Sequence, residues 1–281
     1  MSIAREENSY GESSVRLLRV ARQTERREIK EMTLEVRFEG DFGEAQTQGD
    51  NREILPPETI RNTIHALARQ YPSEAIEDFS LHLIEHFLTY NAPIERVRIE
   101  AHEDAWARIT HGGKPHASAF ARASRERRTA SLCGTRDSTE IHAGLRDLFV
   151  LKAANAGFEG FRRDPYTTLK ENAEALISAE LRALWLYKGE EIEFNATWHG
   201  VRQVLLEAFA EHESRSFPHT LRAMGEAVFA SFDPISEISL WISGEYCAPA
   251  ELDPLGMDNP GQIFLPAEAP RAVAQATLRR A

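Results

Sequence analysis

The residues that are best placed for chemistry lie in one stretch, Gly144–Asn172. Phe158 stands there between Gly157 and Gly160, and residues without a side chain let another group come close to the backbone. The apolar run Leu148–Leu151 precedes them and predicts a buried strand. The stretch therefore predicts a strand followed by a turn region in which the chain approaches a second group around an aromatic ring.

Motifs for other chemistries are missing from the sequence. His82 and His86 lie four residues apart on a predicted helix, but no HExxH pattern and no nearby carboxylate ligand pattern accompanies them. The sequence also lacks a glycine-rich phosphate loop and a GxSxG nucleophile elbow. We therefore expect no metal site and no nucleophilic serine.

Composition limits the partners and the compartment. The chain has 281 residues and a formal net charge of -11, which argues against nucleic acid as a partner. No window approaches 18 consecutive apolar residues, so no membrane-spanning helix is predicted. The N-terminus lacks the apolar core of a signal peptide, the C-terminus lacks a Ser-Lys-Leu address, and two cysteines make no disulfide framework. A reducing cytoplasm is the expected location.

The pattern of elements repeats once along the chain. Two units, 1–137 and 138–281, each show strand, strand, helix, helix, strand, strand. In the second unit the predicted strands are 145–161, 175–187, 235–243 and 262–277, and the helices are 196–212 and 218–232. We expect an α+β fold with mostly antiparallel sheets that carry their helices on one face. Such sheets leave edges open, which favours edge-to-edge assembly into a barrel.

The chain resembles the urate oxidase (uricase) family. The resemblance is carried by the VLK…F-x-GF-x-RD-x-YTTL pattern of the second half, and it extends over nearly the whole chain through shorter matches at Tyr10-Gly11, Gly49-Asp50-Asn51, Gly113-Lys114-Pro115-His116 and Asp258-Asn259-Pro260. It implies the tunnelling fold (T-fold), a homotetramer enclosing a tunnel, and a purine site at a subunit interface. It also implies no metal and no organic cofactor.

Most of the family's site positions carry other residues here. The catalytic lysine after Tyr-Gly falls on Glu12, and its partner threonine falls on Pro57. The urate-gripping arginine falls on Ala175, in the pair Glu174-Ala175, and the ring-reading glutamine falls on Pro218. The Asn-Lys-His triplet near the end falls on Gly244-Glu245-Tyr246. The stacking aromatic is kept as Phe158, and the family's aspartate becomes Glu58, whose backbone amide is still available.

These replacements change the charge of the expected pocket. Glu12, Glu58 and Glu245 are expected near the ligand, and like charges a few ångströms apart cost on the order of 1–4 kcal/mol. Loss of an arginine clamp on an anion costs on the order of 2–5 kcal/mol. Pro57 has neither a hydroxyl nor an N–H to relay protons. Urate, an anion, is therefore expected to bind poorly, and a neutral or cationic heterocycle is expected to fit better.

Two functions remain open at this point. The first is cofactor-independent oxidation of a urate-like heterocycle, with Phe158 stacking on the ring, Glu12 or Tyr246 handling protons, and Glu58, His219 and Glu245 lining the site. The second is a non-catalytic homologue that acts as a binding or scaffold protein. Each residue also has a structural interpretation. The glutamates can be solvated, His219 can simply begin a helix, Tyr246 can pack with its hydroxyl bonded to backbone, and Phe158 can belong to the core.

Overall fold

The computed structural model describes residues 8–173, 175–189, 191–265 and 271–280. Contacts divide the chain into two compact units. The first runs through Gly144 and includes Ile192–Asn195, and the second comprises Leu145–Glu191 and the chain from Ala196 onward. The division of the sequence repeat at 137/138 stays a prediction.

The first unit contains a four-stranded antiparallel sheet and three helices. Its strands follow the order β1-β2-β3-β4. The strands are β1 (Tyr10–Ala21), β2 (Glu28–Gly40), β3 (Ile94–His111) and β4 (Lys114–Gly134), and the helices are α1 (Gly43–Gln48), α2 (Pro57–Gln70) and α3 (Ile76–Tyr90).

Alternation of apolar residues explains this sheet. Met32, Leu34, Val36 and Phe38 of β2 are all buried, while the residues between them face the opposite side. The apolar stripes of α2 and α3 pack on the buried face in one continuous core. Helices therefore cover one face of this sheet, and no helix of the described residues 8–144 contributes buried side chains to the other.

The second unit repeats this plan. Its elements are β5 (Thr139–Lys152, which starts within the first unit), β6 (Leu176–Tyr187), α4 (Phe194–Glu211), α5 (Phe217–Ser231), β7 (Ile235–Pro249), β8 (Phe264–Leu265) and β9 (Ala272–Arg279), with a 3₁₀ turn at Asp253–Leu255. β7 lies between β6 and β9, antiparallel to both, and its end pairs with β8. Helix α5 packs against β7 and β9. The α+β fold is confirmed.

Several sequence predictions about single elements were wrong. The strand expected over 145–161 ends at Lys152, and the following residues form a loop. The run Leu148–Leu151 is not buried throughout, because alternate residues of a strand face opposite sides: Leu148 is buried, but Phe149 and Leu151 are 49% and 62% exposed. The strand expected over 262–277 is two strands, β8 and β9. Helix α1 was not predicted, since six residues with no buried side chain give no periodic signal.

Candidate aromatic site

Phe158 lies in the loop after β5, and backbone hydrogen bonds fix that loop from two sides. The Phe158 N–H donates to the Asn172 carbonyl at 2.8 Å, and the Asn172 N–H donates back at 3.2 Å. On the other side, the Gly157 N–H donates to the Ser214 carbonyl at 2.8 Å. A Cβ at Gly157 would lie only 2.7 Å from the Ala173 carbonyl oxygen. Glycine is therefore required here, and the predicted close approach around Phe158 is to the chain itself.

Four aromatic side chains of the second unit are stacked together, and we call them the aromatic cluster: Phe217, Tyr246, Phe158 and Phe161. The ring centres of Phe217 and Tyr246 are 4.8 Å apart, with planes 17° apart. Tyr246 lies 5.4 Å from Phe158 at 27°, and Phe158 lies 5.1 Å from Phe161 at 10°. Near-parallel rings at these separations are offset stacks, each contributing about 0.5–1.5 kcal/mol beyond burial.

The Tyr246 hydroxyl is enclosed within this cluster. Among the described residues it has no hydrogen-bond partner of ordinary geometry, although the Phe217 backbone lies near it. Burial raises the pKa of the Tyr246 phenol, and the Phe217 backbone opposes this with a smaller effect. The phenol is therefore neutral near pH 7. It can donate or accept a hydrogen bond, but it is a poor general base.

His219 contacts another histidine. It is the third residue of α5, a helix whose N-cap Ser216 accepts from the His219 N–H at 3.3 Å. Its Nδ1 lies 3.2 Å from Nε2 of His212. Burial lowers the pKa of His212, and the charges of His219 and Lys152 lower it further. His219 is exposed, so its placement agrees with the helix-start interpretation.

Lys152 ends β5 and is buried. Its Nζ donates to the carbonyl of Phe209 at 3.1 Å and to that of His212, both at the C-terminal end of α4. These are carbonyls that a helix end leaves without partners. Lys152 therefore fixes the end of α4, from which the chain continues into the 212–216 segment that supports Phe158.

Glu245 and Tyr246 lie on opposite faces of β7, because adjacent strand residues alternate. The Glu245 Oε1 lies 3.7 Å from the thiol of Cys247, two residues on. Burial raises the pKa of that thiol, and the Glu245 carboxylate raises it further. Glu245 is thus placed beside Cys247, while Tyr246 lies in the aromatic cluster.

The two predicted site residues of the first unit lie near the start of β1 and of α2. Glu12, at a bulge in β1, forms an ion pair with Arg61 of α2 at 3.4 Å. Glu58 is exposed in the first turn of α2, where Pro57 is the first helical residue. The sequence analysis did not predict this pair, although Arg61 is a cation one helical turn after Pro57 and was a signal for it.

The remaining family positions bring no polar side chain. Pro218 is the second residue of α5, Ala175 is buried before β6, and Glu174 lies outside the described residues. A Cβ at Gly244 would lie 2.5 Å from the Cβ of Ala179. Within the described part of the chain, no group of three or more histidine, cysteine, aspartate or glutamate side chains could hold a metal ion. None of its helices is both long and apolar enough to cross a membrane.

Comparisons with known proteins agree over nearly the whole chain. A model of the Uricase family matches residues 8–132 and 141–275. The uricase of Arthrobacter globiformis is 36% identical over 274 residues, which span 98% of this chain and 89% of that protein. The uricase of Aspergillus flavus is 31% identical over 287 residues, spanning 96% and 95%. The crystal structure of the Arthrobacter globiformis uricase superposes with a TM-score of 0.94 at 35% identity, covering 100% of this chain and 96% of that one.

Antiparallel sheets covered by helices on one face, repeated in tandem, define a T-fold protein. The chain belongs to the uricase family. The fold that the sequence resemblance implied is confirmed.

Proposed function

We propose that this chain binds a neutral, purine-like heterocycle at the aromatic cluster and does not oxidise urate by the family's lysine–threonine route. The observation that carries the proposal is the Tyr246–Phe158 stack, in which a phenol whose buried hydroxyl has no hydrogen bond of ordinary geometry lies against a half-buried aromatic ring. A flat ring can stack on Phe158 by displacing Phe161, a loop residue, and a polar ring edge can then hydrogen-bond to the Tyr246 hydroxyl.

Charge supports a neutral ligand over anionic urate. The family resemblance implies an arginine that binds the urate anion and an asparagine that contacts its ring. Ala175 and Gly244 stand at these two positions, and neither side chain carries a charge. Losing such a clamp costs on the order of 2–5 kcal/mol. Glu12 contributes less repulsion than the sequence argument assumed, because Arg61 pairs with it. The case against urate therefore rests mainly on lost cations.

If the site is catalytic, we infer a cofactor-independent oxidoreductase acting on a urate-like heterocycle. Tyr246 would then act as a neutral acid or hydrogen-bond donor, since its raised pKa disfavours the phenolate. Glu12 is the candidate base, while Glu58, His219 and Glu245 remain candidate substrate contacts. Their placement supports Tyr246 and Phe158 more strongly than these three.

We also infer a homotetramer in the cytoplasm with its sites at subunit interfaces, as the family resemblance implies. Among the described pairings, β1 pairs only with β2, and β9 pairs only with β7. Each unit thus has a strand with an open edge, which favours edge-to-edge assembly.

A second candidate is a non-catalytic binding or scaffold protein. One observation favours it: the ring of Tyr246 already stacks on Phe158, so the chain supplies to itself the partner that a planar ligand would otherwise provide.

The test combines turnover and binding. Urate loss is followed by ultraviolet absorbance together with oxygen uptake, with the Arthrobacter globiformis uricase as positive control; we expect no turnover. Calorimetric titration with urate, xanthine, hypoxanthine and pterin is expected to rank a neutral ring above urate. Phe158→Ala should abolish that binding, and Phe149→Ala, an exposed phenylalanine outside the cluster, should not.

Each outcome separates the candidates. Urate turnover near that of the control, or tightest binding of urate, would overturn the proposal. Binding of a neutral heterocycle that Phe158→Ala leaves unchanged would place the site elsewhere. Silence towards the whole panel would favour the scaffold protein.

A further inference from the structure

A cavity of about 1130 Å³ lies in the first unit, far along β1 from Glu12 and lined by none of the residues of the candidate site. Its walls come from the end of β1, the start of β2, the last turns of α2, and the segment between α2 and α3. That volume is slightly above the range of about 300–1,000 Å³ that is typical of pockets for small organic ligands. The cavity therefore has room for a ligand larger than an inorganic ion.

One part of the lining is apolar. Leu17 of β1 contributes to it from the face of the sheet that the helices cover, together with Ala68 and Pro72. Apolar surface that a ligand covers is removed from water, which favours binding. This part of the lining suits the hydrocarbon or aryl body of a ligand.

The other part of the lining is cationic. Arg19, Arg22 and Arg69 line the cavity, and no described carboxylate forms an ion pair with any of them. The two acidic residues of the lining are Glu28, which pairs with Arg108 at 2.5 Å, and Glu74. Three guanidinium groups therefore face one unpaired carboxylate, in a protein whose net charge is -11.

Lys30 also lines the cavity, but its ammonium group already has partners within the protein. It lies at the base of the cavity, where Glu103 approaches its Nζ at 3.4 Å and the Glu74 carbonyl accepts a hydrogen bond from it. The described structure thus satisfies the buried cation and leaves the outer arginines open. Guanidinium groups are well suited to carboxylate, sulfonate and phosphate heads, since their planar donors bind two oxygens at once.

We propose that this cavity is a binding site for an amphipathic organic anion, with the acidic head on Arg19, Arg22 and Arg69 and the apolar body against Leu17, Ala68 and Pro72. The site is independent of the heterocycle proposed for the aromatic cluster. An inorganic anion alone would leave the apolar lining uncovered, and a neutral apolar ligand would leave the arginines unpaired.

The probe is 1-anilinonaphthalene-8-sulfonate, an aryl sulfonate whose fluorescence rises in an apolar site. We expect saturable binding that decanoate displaces and that inorganic phosphate at equal concentration does not. The double variant Arg22→Glu/Arg69→Glu should raise the dissociation constant at least fivefold. Both residues are exposed, so the fold should be kept, as thermal unfolding would check.

The matched control is Arg215→Glu/Arg222→Glu, which makes the same charge change on exposed arginines of the second unit. It should leave the dissociation constant within twofold. Equal weakening by both double variants would reduce the effect to net charge and overturn the proposal. So would displacement by phosphate without displacement by decanoate, or loss of dye binding in Phe158→Ala with retention in Arg22→Glu/Arg69→Glu.

Discussion

The phenol ring of Tyr246 stacks on the phenyl ring of Phe158 with their centres 5.4 Å apart. The Tyr246 ring comes from near the end of the long strand β7, and the Phe158 ring comes from a loop almost ninety positions earlier in the chain. The contact joins the one site residue that the family resemblance retains to a residue that replaces the family's histidine. The residue here is a phenol in place of an imidazole, and its ring stacks on both Phe158 and Phe217.

Tyr246→Phe is predicted to keep the fold and to weaken heterocycle binding. The ring stacks remain, and the change removes a hydroxyl that is enclosed without a hydrogen bond of ordinary geometry. Removing such a group is expected to change the free energy of unfolding by less than about 1 kcal/mol. Urea unfolding and calorimetric titration measure the two effects. A loss well above that figure would mean that the hydroxyl has a strong partner.

Glu12→Lys is predicted not to start urate oxidation, although it restores the residue type that the family resemblance implies. The new ammonium would lie beside Arg61, and the lost ion pair is worth about 0.2–1 kcal/mol. Pro57 still cannot relay a proton. Oxygen uptake with urate is the measurement. Clear turnover in this single variant would show that the lysine alone limits activity.

Gly244→Asn is predicted to destabilise the second unit, even though asparagine is the family's residue at this position. A Cβ there would lie 2.5 Å from the Ala179 Cβ and 2.6 Å from the Ser178 carbonyl oxygen. Forcing atoms into filled space costs about 1–3 kcal/mol. Chemical denaturation would measure the cost, with Gly160→Asn, at an open position where the backbone φ is +65°, as a comparison for the backbone effect.

Lys152→Met is predicted to cost about 2–4 kcal/mol of unfolding free energy, because two carbonyls at the end of α4 lose their donor. Lys170→Met, at an exposed lysine, is the matched control and should change stability by less than about 0.5 kcal/mol. Equal small effects of the two changes would show that water replaces the Lys152 ammonium at no cost.

Stability is predicted to fall as the pH drops below about 6.5, the ordinary pKa of histidine. Burial and the nearby charges of His219 and Lys152 hold the His212 pKa below that value in the folded chain. The unfolded chain then binds more protons, so the stabilisation present above pH ~6.5 is lost as the pH falls through the folded-state pKa. His212→Gln should flatten this dependence in urea unfolding between pH ~7.5 and ~5.5. An unchanged slope would assign the dependence to other groups.

Alternation and helical spacing predicted most elements because they are local. The burial of Met32 to Phe38 on one face of β2 follows from a period of two, and α2 follows from Ile60, Ile64 and Leu67. The same local signal failed after Lys152. The residues from 153 to 161 are held by backbone bonds to Asn172 and Ser214, which are distant in sequence.

The sequence by itself determined the family, the α+β fold and the retained ring of Phe158, because a long ungapped pattern and the periodicity of apolar residues are written along the chain. Only the tertiary structure decided what surrounds that ring. Tyr246 stacks on Phe158, and Phe217 stacks on Tyr246. His219 contacts His212, and Glu245 lies on the other face of β7 beside Cys247. The ion pair between Glu12 and Arg61 is likewise formed only in the folded chain. Such contacts depend on strand registers and helix positions, which are set by packing across the whole unit and leave no local trace in the residues that make them.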